Sequence, residues 1–489
     1  MRGPLLGLLA LALIASPLGC EEKKIVKVVE PEAPPEETPE EEEAPPEETP
    51  KPTDPLVVDL GTVDSGVDVP FEIPAGALGF NIIMEGQAVD FDPQAPFGIE
   101  RITDPTGKVV HQAYGPVGGT KSTSTASFDV IAAASVPQSE VVPTKIPAGK
   151  WKVRFGVQGD PTAKPKVRAK VRVQATPDGV FHGGTLDLHI HVPQTVTIGS
   201  AEIDHTDACS DPRIKERVET FFALTKQLLG ITKGTVKCSG ASSGLAELDD
   251  NEIIDGFAIS GGEKEGTPVL HVLITNAIRI EGQPVAQGIS PGIPGAANLF
   301  GRGVSGIIVS PTGFVDEDVL VMLHEAGHFI GLNHTTEFDG QSSDPLSDTP
   351  VCDDISHSNL GACPDRSNVM FAAGAISGPV NLSPTQKRVY RGSPIYKAFA
   401  TGTPQTQSLP LVPAVPFQAK RHFRISGGPL SPAERELSTG FCGLNPIDHD
   451  GLAQRYGIEQ LKAAAKDADL APYIRGRANV ALKRLGVTP

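Results

Sequence analysis

The sequence predicts an α+β protein: an all-β sandwich first, then a mixed sheet backed by helices, then a small helical region. Three observations carry this. Glycine (52) and proline (45) are abundant among 489 residues while aromatics make up 5%, a balance that favours short strands and turns over long helical bundles. Before about residue 180, apolar and polar residues alternate with a period of two, as strands with one buried face require. From about residue 184 strand-like runs alternate with helical ones, the pattern of a sheet covered by helices. A chain of this length needs two or three cores.

Residues 1–20 hold one positive charge (Arg2), an apolar stretch from Leu5 to Ile14, and a small-residue end at Ser16-Pro17-Leu18-Gly19-Cys20. That is the make-up of an export signal. The apolar stretch falls short of the ~20 residues of a spanning helix. Cys20 directly after Gly19 resembles the lipidation site of bacterial lipoproteins, which implies an exported chain held to the cell envelope by a lipid on Cys20. Residues 21–54 then carry twelve Glu and one Asp against four Lys, a net of -9 within a chain total of -17. Their Pro-Glu-Glu-Thr-Pro and Ala-Pro-Pro-Glu-Glu repeats cannot bury apolar surface, so an extended, disordered stalk is expected. No basic stripe follows, which argues against nucleic acid as a partner.

Residues 55–180 form the sandwich. Val167, Ala169, Val171 and Val173 alternate with Lys166, Arg168, Lys170 and Arg172, and Trp151, Val153, Phe155 and Val157 repeat the pattern. Asp104-Pro105-Thr106-Gly107 supplies turn chemistry between further apolar runs. Beyond 184, Leu186–Val192 reads as a strand. Asp211-Pro212 gives an N-cap followed by proline at the first helical position. Ile214, Val218, Phe221, Phe222, Leu228 and Leu229 then form one helical face that Gly230 ends. Buried strands at Val269–Thr275 and Val304–Ser310 come next. Behind Cys20 stand Cys209, Cys238, Cys352, Cys363 and Cys442. Proximity favours Cys352 with Cys363 and Cys209 with Cys238, although five cysteines permit other pairings.

Residues 324–334 read His324-Glu325-Ala326-Gly327-His328-Phe329-Ile330-Gly331-Leu332-Asn333-His334. Histidines at i and i+4 stand one turn apart on one helix face, so both imidazoles can reach one metal ion. Glu325 can reach a water on that ion without binding it. Gly331 can take the left-handed conformation that stops a helix, which swings His334 round as a third ligand. Asp316 or Asp318 can cap this helix, and Val319, Leu320, Leu323 and Phe329 can bury it. A chance match of the pattern in such a chain is on the order of one in ten thousand.

These eleven residues resemble the extended zinc motif of the metzincin metallopeptidases. Asn368-Val369-Met370 resembles their methionine turn, and with Ser347-Asp348-Thr349-Pro350 between, the run looks most like the pappalysin branch. The resemblance covers roughly 184–395. It implies a metzincin-like catalytic domain, a mixed sheet with an active-site helix, binding one catalytic Zn2+ through His324, His328 and His334. Glu325 would be the general base and Met370 packing beneath the ligands. The substrate, a protein or peptide, would extend along an edge strand, for which Val304–Ser310 is the candidate. The tyrosine that some metzincins carry two residues after the methionine is replaced by Ala372. Pappalysins can also bind Ca2+, and Asp249, Asp250, Asp344, Asp348, Asp353 and Asp354 offer oxygens, although solvated loop carboxylates are the commoner explanation.

Two Gly-x-Ser-x-Gly stretches, at 240–244 and 288–292, match the short serine-hydrolase elbow pattern, but that elbow needs a strand before it and a helix after it, Pro291 and Pro294 oppose a helix after the second, and a chain with 52 glycines produces such matches by accident. Residues 396–489 comprise a Pro-rich connector (403–416) and helices, with one HEAT-like repeat that needs a neighbour to cover its face. The expected function is thus an exported, membrane-anchored, zinc-dependent endopeptidase. The alternative is a surface lipoprotein binding module with a catalytically idle zinc domain; retention of Glu325 beside all three histidines counts against it.

Overall fold

A computed structural model describes residues 51–488 except 87–96, 114–124, 127–130, 143–144, 158–163, 250–251, 263, 265, 281–282, 299, 301–304, 338–342, 353–361, 373–378, 402–429, 439–448 and 471. The architecture is α+β and rich in sheet. The export signal, Cys20, most of the acidic stalk, the Pro-rich connector and Cys442 lie outside these residues.

The first region is a sandwich of two antiparallel sheets. One runs Leu56–Asp64, Lys166–Ala175, Ala77–Gly86, Ile131–Val136, Thr125–Ala126; the other runs Asp68–Ile73, Gly149–Val157, Phe97–Thr103, Val109–Gln112. Val167, Ala169, Val171 and Val173 face Trp151, Val153 and Phe155 in one shared core. Trp151 and Phe80 meet edge to face at 5.0 Å, the arrangement aromatic quadrupoles prefer.

Two expectations need correction here. The polar residues alternating along Lys166–Ala175 do not all face water: Lys170 is 9% exposed and Arg172 0%. A second layer covers them, with Arg168 and Lys170 stacked over the Phe300 ring and Arg172 donating to the Gly266 carbonyl. Also, the stalk expected through Asp54 gives way earlier, because Pro52 and Thr53 pair antiparallel with Phe399 and Ala398.

The larger sheet runs Pro52–Thr53, Lys397–Phe399, Gly184–Pro193, Val269–Ile274, Ile307–Val309, Gly288–Ile289, and Ile231–Ala241 pairs in parallel with Gly184–Pro193. The Val304–Ser310 candidate is therefore not an edge. Ile307–Val309 lies between Val269–Ile274 and the antiparallel Gly288–Ile289, which takes the outer position.

Helices α1 (Pro212–Leu229) and α3 (Val315–Ile330) cover one face of this sheet, burying Leu188, Ile190, Val272 and Val309 against Phe221, Leu320 and Leu323. At roughly 1.5–3 kcal/mol for each large apolar side chain, this layer fixes where α3 can lie. Asp211 accepts from Arg213 N at the start of α1, and Gly230 ends it at φ +77°. Neither Asp316 nor Asp318 caps α3: Phe314 holds the cap position. Asp318 is drawn inward instead, its Oδ2 accepting from Arg217 Nε (2.8 Å) and Nη2 (2.5 Å) on α1 and its Oδ1 from Thr312 N (2.6 Å).

The short helix α2 (Ile253–Ala258) packs on the other face of the sheet through Phe257, beside Leu273 and Ile308. Helix α4 (Pro384–Gly392) opens with a capping box between Ser383 and Gln386. Helices α5 (Pro432–Ser438), α6 (His449–Tyr456), α7 (Ile458–Lys466) and α8 (Pro472–Arg484) share a core of their own. Helix α8 docks on strand Gln283–Ala286, where Gly476 meets the Pro284 carbonyl and Asn479 Nδ2 donates to Gln283 Oε1 at 3.1 Å. That contact joins the C-terminal helices to this strand.

Candidate metal centre

Helix α3 carries His324 and His328 on one face, and Gly331 ends it at φ +118°, the left-handed conformation that favours glycine. The chain then turns back and brings in His334. The three Nε2 atoms form a nearly equilateral triangle: His324 to His328 3.0 Å, His328 to His334 3.1 Å, His334 to His324 3.2 Å. The rings meet at steep angles of 80°, 71° and 45°, so their planes converge rather than stack. All three histidines are at most 6% exposed.

The other ring nitrogens explain the orientation. His324 Nδ1 donates to the Val369 carbonyl (2.6 Å), His328 Nδ1 to the Leu332 carbonyl (2.8 Å), and His334 Nδ1 to Glu337 Oε2 (2.8 Å). A neutral imidazole has one N–H. Committing it at Nδ1 leaves each Nε2 with its lone pair turned inward. Burial, then the neighbouring His334, depresses His328 to about 3, keeping that ring neutral. The group can hold a metal ion: a triangle of this edge lets one ion reach all three nitrogens at the ~2.0–2.1 Å of a Zn–N bond.

Glu325 is 1% exposed and lies against Gly288 of the edge strand. A Cβ on Gly288 would sit 2.6 Å from Glu325 Cγ and 2.8 Å from its Oε1. The glycine of the second Gly-x-Ser-x-Gly stretch thus makes room for this carboxylate. Met370 is fully buried against α3: a Cβ on Gly327 would run into its sulfur, and its carbonyl accepts from Thr335 N at 3.0 Å. Asn368 Oδ1 closes the turn by accepting from Met370 N at 2.8 Å. Cys209–Cys238 and Cys352–Cys363 are both disulfide-bonded.

Glu337 has no motif to betray it; its place emerges once His334 is seen. No motif marks Asp365 either, which accepts from Thr335 Oγ1 (2.6 Å) and Thr336 Oγ1 (3.1 Å) just behind His334. Among the carboxylates considered for calcium, Asp348 accepts from Ser383 Oγ and Thr385 N at the start of α4. Asp344 accepts from Thr349 Oγ1 at 2.5 Å, and burial pushes it up to about 7. Asp250, Asp353 and Asp354 lie outside the described residues.

A second histidine group, His189, His191 and His271, sits on the sheet face away from α3. Its geometry differs. His191 Nε2 and His271 Nδ1 are 2.9 Å apart with ring centroids at 5.2 Å and planes within 20°, so the rings lie edge to edge along a shared hydrogen bond. His189 stacks on His191 at 4.1 Å and reaches Ser239 Oγ at 2.7 Å.

No protein-family model and no curated protein matches the chain. Among solved structures, metalloproteinase-II from Bacteroides fragilis is similar at 16% identity over 37% of this chain, with a TM-score of 0.19. The chain spans 57% of that protein's length. Xylanase10C from Cellvibrio japonicus is similar at 10% identity over 45% of this chain and 40% of its own, with a TM-score of 0.16. A family two carbohydrate esterase from Clostridium thermocellum is similar at 10% over 46% and 66%, with a TM-score of 0.14. Scores this low carry no argument. The weight rests on the site.

Proposed function

We propose that the chain is an exported zinc endopeptidase of the metzincin type, tethered to the cell envelope through Cys20. The observation that carries this reading is the commitment of all three Nδ1 atoms. It turns three imidazole lone pairs toward one point beside a buried carboxylate, an arrangement that a divalent cation satisfies. Three neutral imidazoles suit zinc and leave a fourth position open. When bound, zinc supplies Lewis acidity and lowers the pKa of a water toward ~7.

The remaining steps belong to the chain. Glu325, held against Gly288, takes the proton of the attacking water and passes it to the leaving amine. An extended peptide pairing with the outer rim of Gly288–Ile289 would bring its carbonyl to the side where Glu325 lies. Glu337, Val369 and Leu332 keep the three rings in the tautomer and orientation that ligation needs. Two disulfides support an oxidising compartment. Among the described residues, no helix is long and apolar enough to cross a membrane.

The test is cleavage of a proteome-derived peptide library by the full chain. Cleavage that a chelator stops and zinc restores is expected. A chain that holds zinc yet cuts nothing would favour the idle binding module.

A further inference from the structure

The sandwich does more than stand beside the metal centre. Strands Lys166–Ala175, Ala77–Gly86 and Ile131–Val136 are buried along most of their length on both faces. Their inward residues fill the sandwich core. Of their outward residues, Ile83, Ala133, Ser135, Arg172 and Gln174 are at most 7% exposed. An antiparallel sheet ordinarily keeps one face in water, so this outer face has a cover. The cover is chain from around the metal site: Ala296 joins Ile83 and Ala133 in one apolar cluster, and Gln174 Nε2 donates to the Tyr396 carbonyl at 3.2 Å.

Gln138 stands at the middle of this junction, 5% exposed, two residues beyond the end of Ile131–Val136. Its Nε2 donates to the Gly331 carbonyl at 3.2 Å and to the Ile293 carbonyl at 3.4 Å. Gly331 is the turn that stops α3 and sends His334 back to the other ligands. Ile293 lies on the loop that leaves Gly288–Ile289, the strand against Glu325. One amide therefore ties the turn delivering the third ligand to the loop leaving the strand that bounds the base. Close by, Glu140 Oε1 accepts from Ser347 N (3.1 Å) and Oγ (2.7 Å), and Arg388 donates to the Val142 carbonyl at 3.3 Å. The segment 138–142 thus grips four loops or helices around the site.

We propose that Gln138 of the β-sandwich is a positioning residue of the metal centre, its amide fixing the Gly331 turn against the Ile293 loop so that His334 and Glu325 keep their relative placement. This rests on the metal-site reading above. Ligand orientation set from outside the ligand shell commonly governs affinity by 10–100-fold.

The experiment uses the full chain loaded with zinc, as wild type, Gln138→Met, and Lys150→Ala as a control exposed on the far sheet. Methionine matches glutamine in length but has no N–H. Zinc loss to a chelator at 25 °C and the thermal midpoint of the zinc-free protein are both measured. Gln138→Met should lose zinc about tenfold faster, with a zinc-free midpoint matching the control and a fall in kcat larger than any rise in KM. Zinc loss at the wild-type rate would overturn the proposal, as would a lowered midpoint with unchanged zinc loss. If Gln138→Met does not fold, Gln138→Asn decides, because it keeps the donors but is too short to span both carbonyls. Collapse of both variants would assign Gln138 a purely structural role and overturn the proposal. A wild type that binds no zinc would instead sink the metal-site reading itself.

Discussion

At the scale of single residues, two glycines decide where the reactive groups can sit. Gly327 in mid-helix forgoes about 1 kcal/mol of helix propensity relative to alanine, and the space is taken by the Met370 sulfur. Gly288 leaves room for Glu325. Gly288→Ala should cut peptide cleavage by about 10²-fold, the scale of a misplacement near 1 Å, with zinc content unchanged; equal activity would show that the carboxylate does not depend on this contact. Glu337 acts on metal binding instead. Glu337→Gln should weaken zinc about tenfold, read by chelator competition, while a wild-type affinity would show that its hydrogen bond to His334 does not tune the ligand. The histidines and Glu325 were legible because a helix imposes their spacing. Glu337, Gly288 and Gln138 were not, because each meets the site through folding rather than through a pattern in the sequence.

At the scale of elements, α3 is pinned by what it packs on. The Arg217–Asp318 pair joins α1 to α3 with side chains 4% and 1% exposed. Arg217→Met should cost about 3–5 kcal/mol, because it strands a buried carboxylate; denaturant unfolding giving under 1 kcal/mol would contradict this.

The imidazole group on the opposite sheet face sets a pH dependence. Burial, then His189 and His271, depress His191 to about 3 from 6.5, so between those values the unfolded chain binds a proton that the folded chain does not. The stability it contributes is complete above pH 6.5 and is lost as pH falls toward 3, at about 1.4 kcal/mol per unit, or about 2 kcal/mol by pH 5. His191→Gln should lower the slope in that range by about 1.4 kcal/mol per unit, while His111, which burial depresses to about 4, keeps its own share; an unchanged slope would assign the loss elsewhere. Helix α1, with its Asp211 cap and Gly230 stop, was readable from the sequence. The two-residue edge strand Gly288–Ile289 was not, since two residues carry no periodicity, whereas the apolar run at Val304–Ser310 does read as a strand.

At the scale of the whole molecule, the sequence distinguished the sandwich from the sheet-and-helix region by a change of period at about residue 184. It did not reveal that the two are joined. The alternation along Lys166–Ala175 marks an apolar and a polar face, but Arg172 and Gln174 reach backbone carbonyls of the second region, so that part of the polar face is buried as well. A junction of this kind couples unfolding: residues 51–401 should melt in one calorimetric transition, and separate transitions for the two regions would contradict the coupling. The proposed cleavage depends on Glu325 acting as a base beside an intact metal site. Its most direct test compares zinc content and peptide cleavage for the full chain and for Glu325→Gln. Equal zinc with cleavage reduced by about 10²–10⁴-fold, the worth of a general base, is the predicted result; a variant that keeps both its zinc and its cleavage would contradict it.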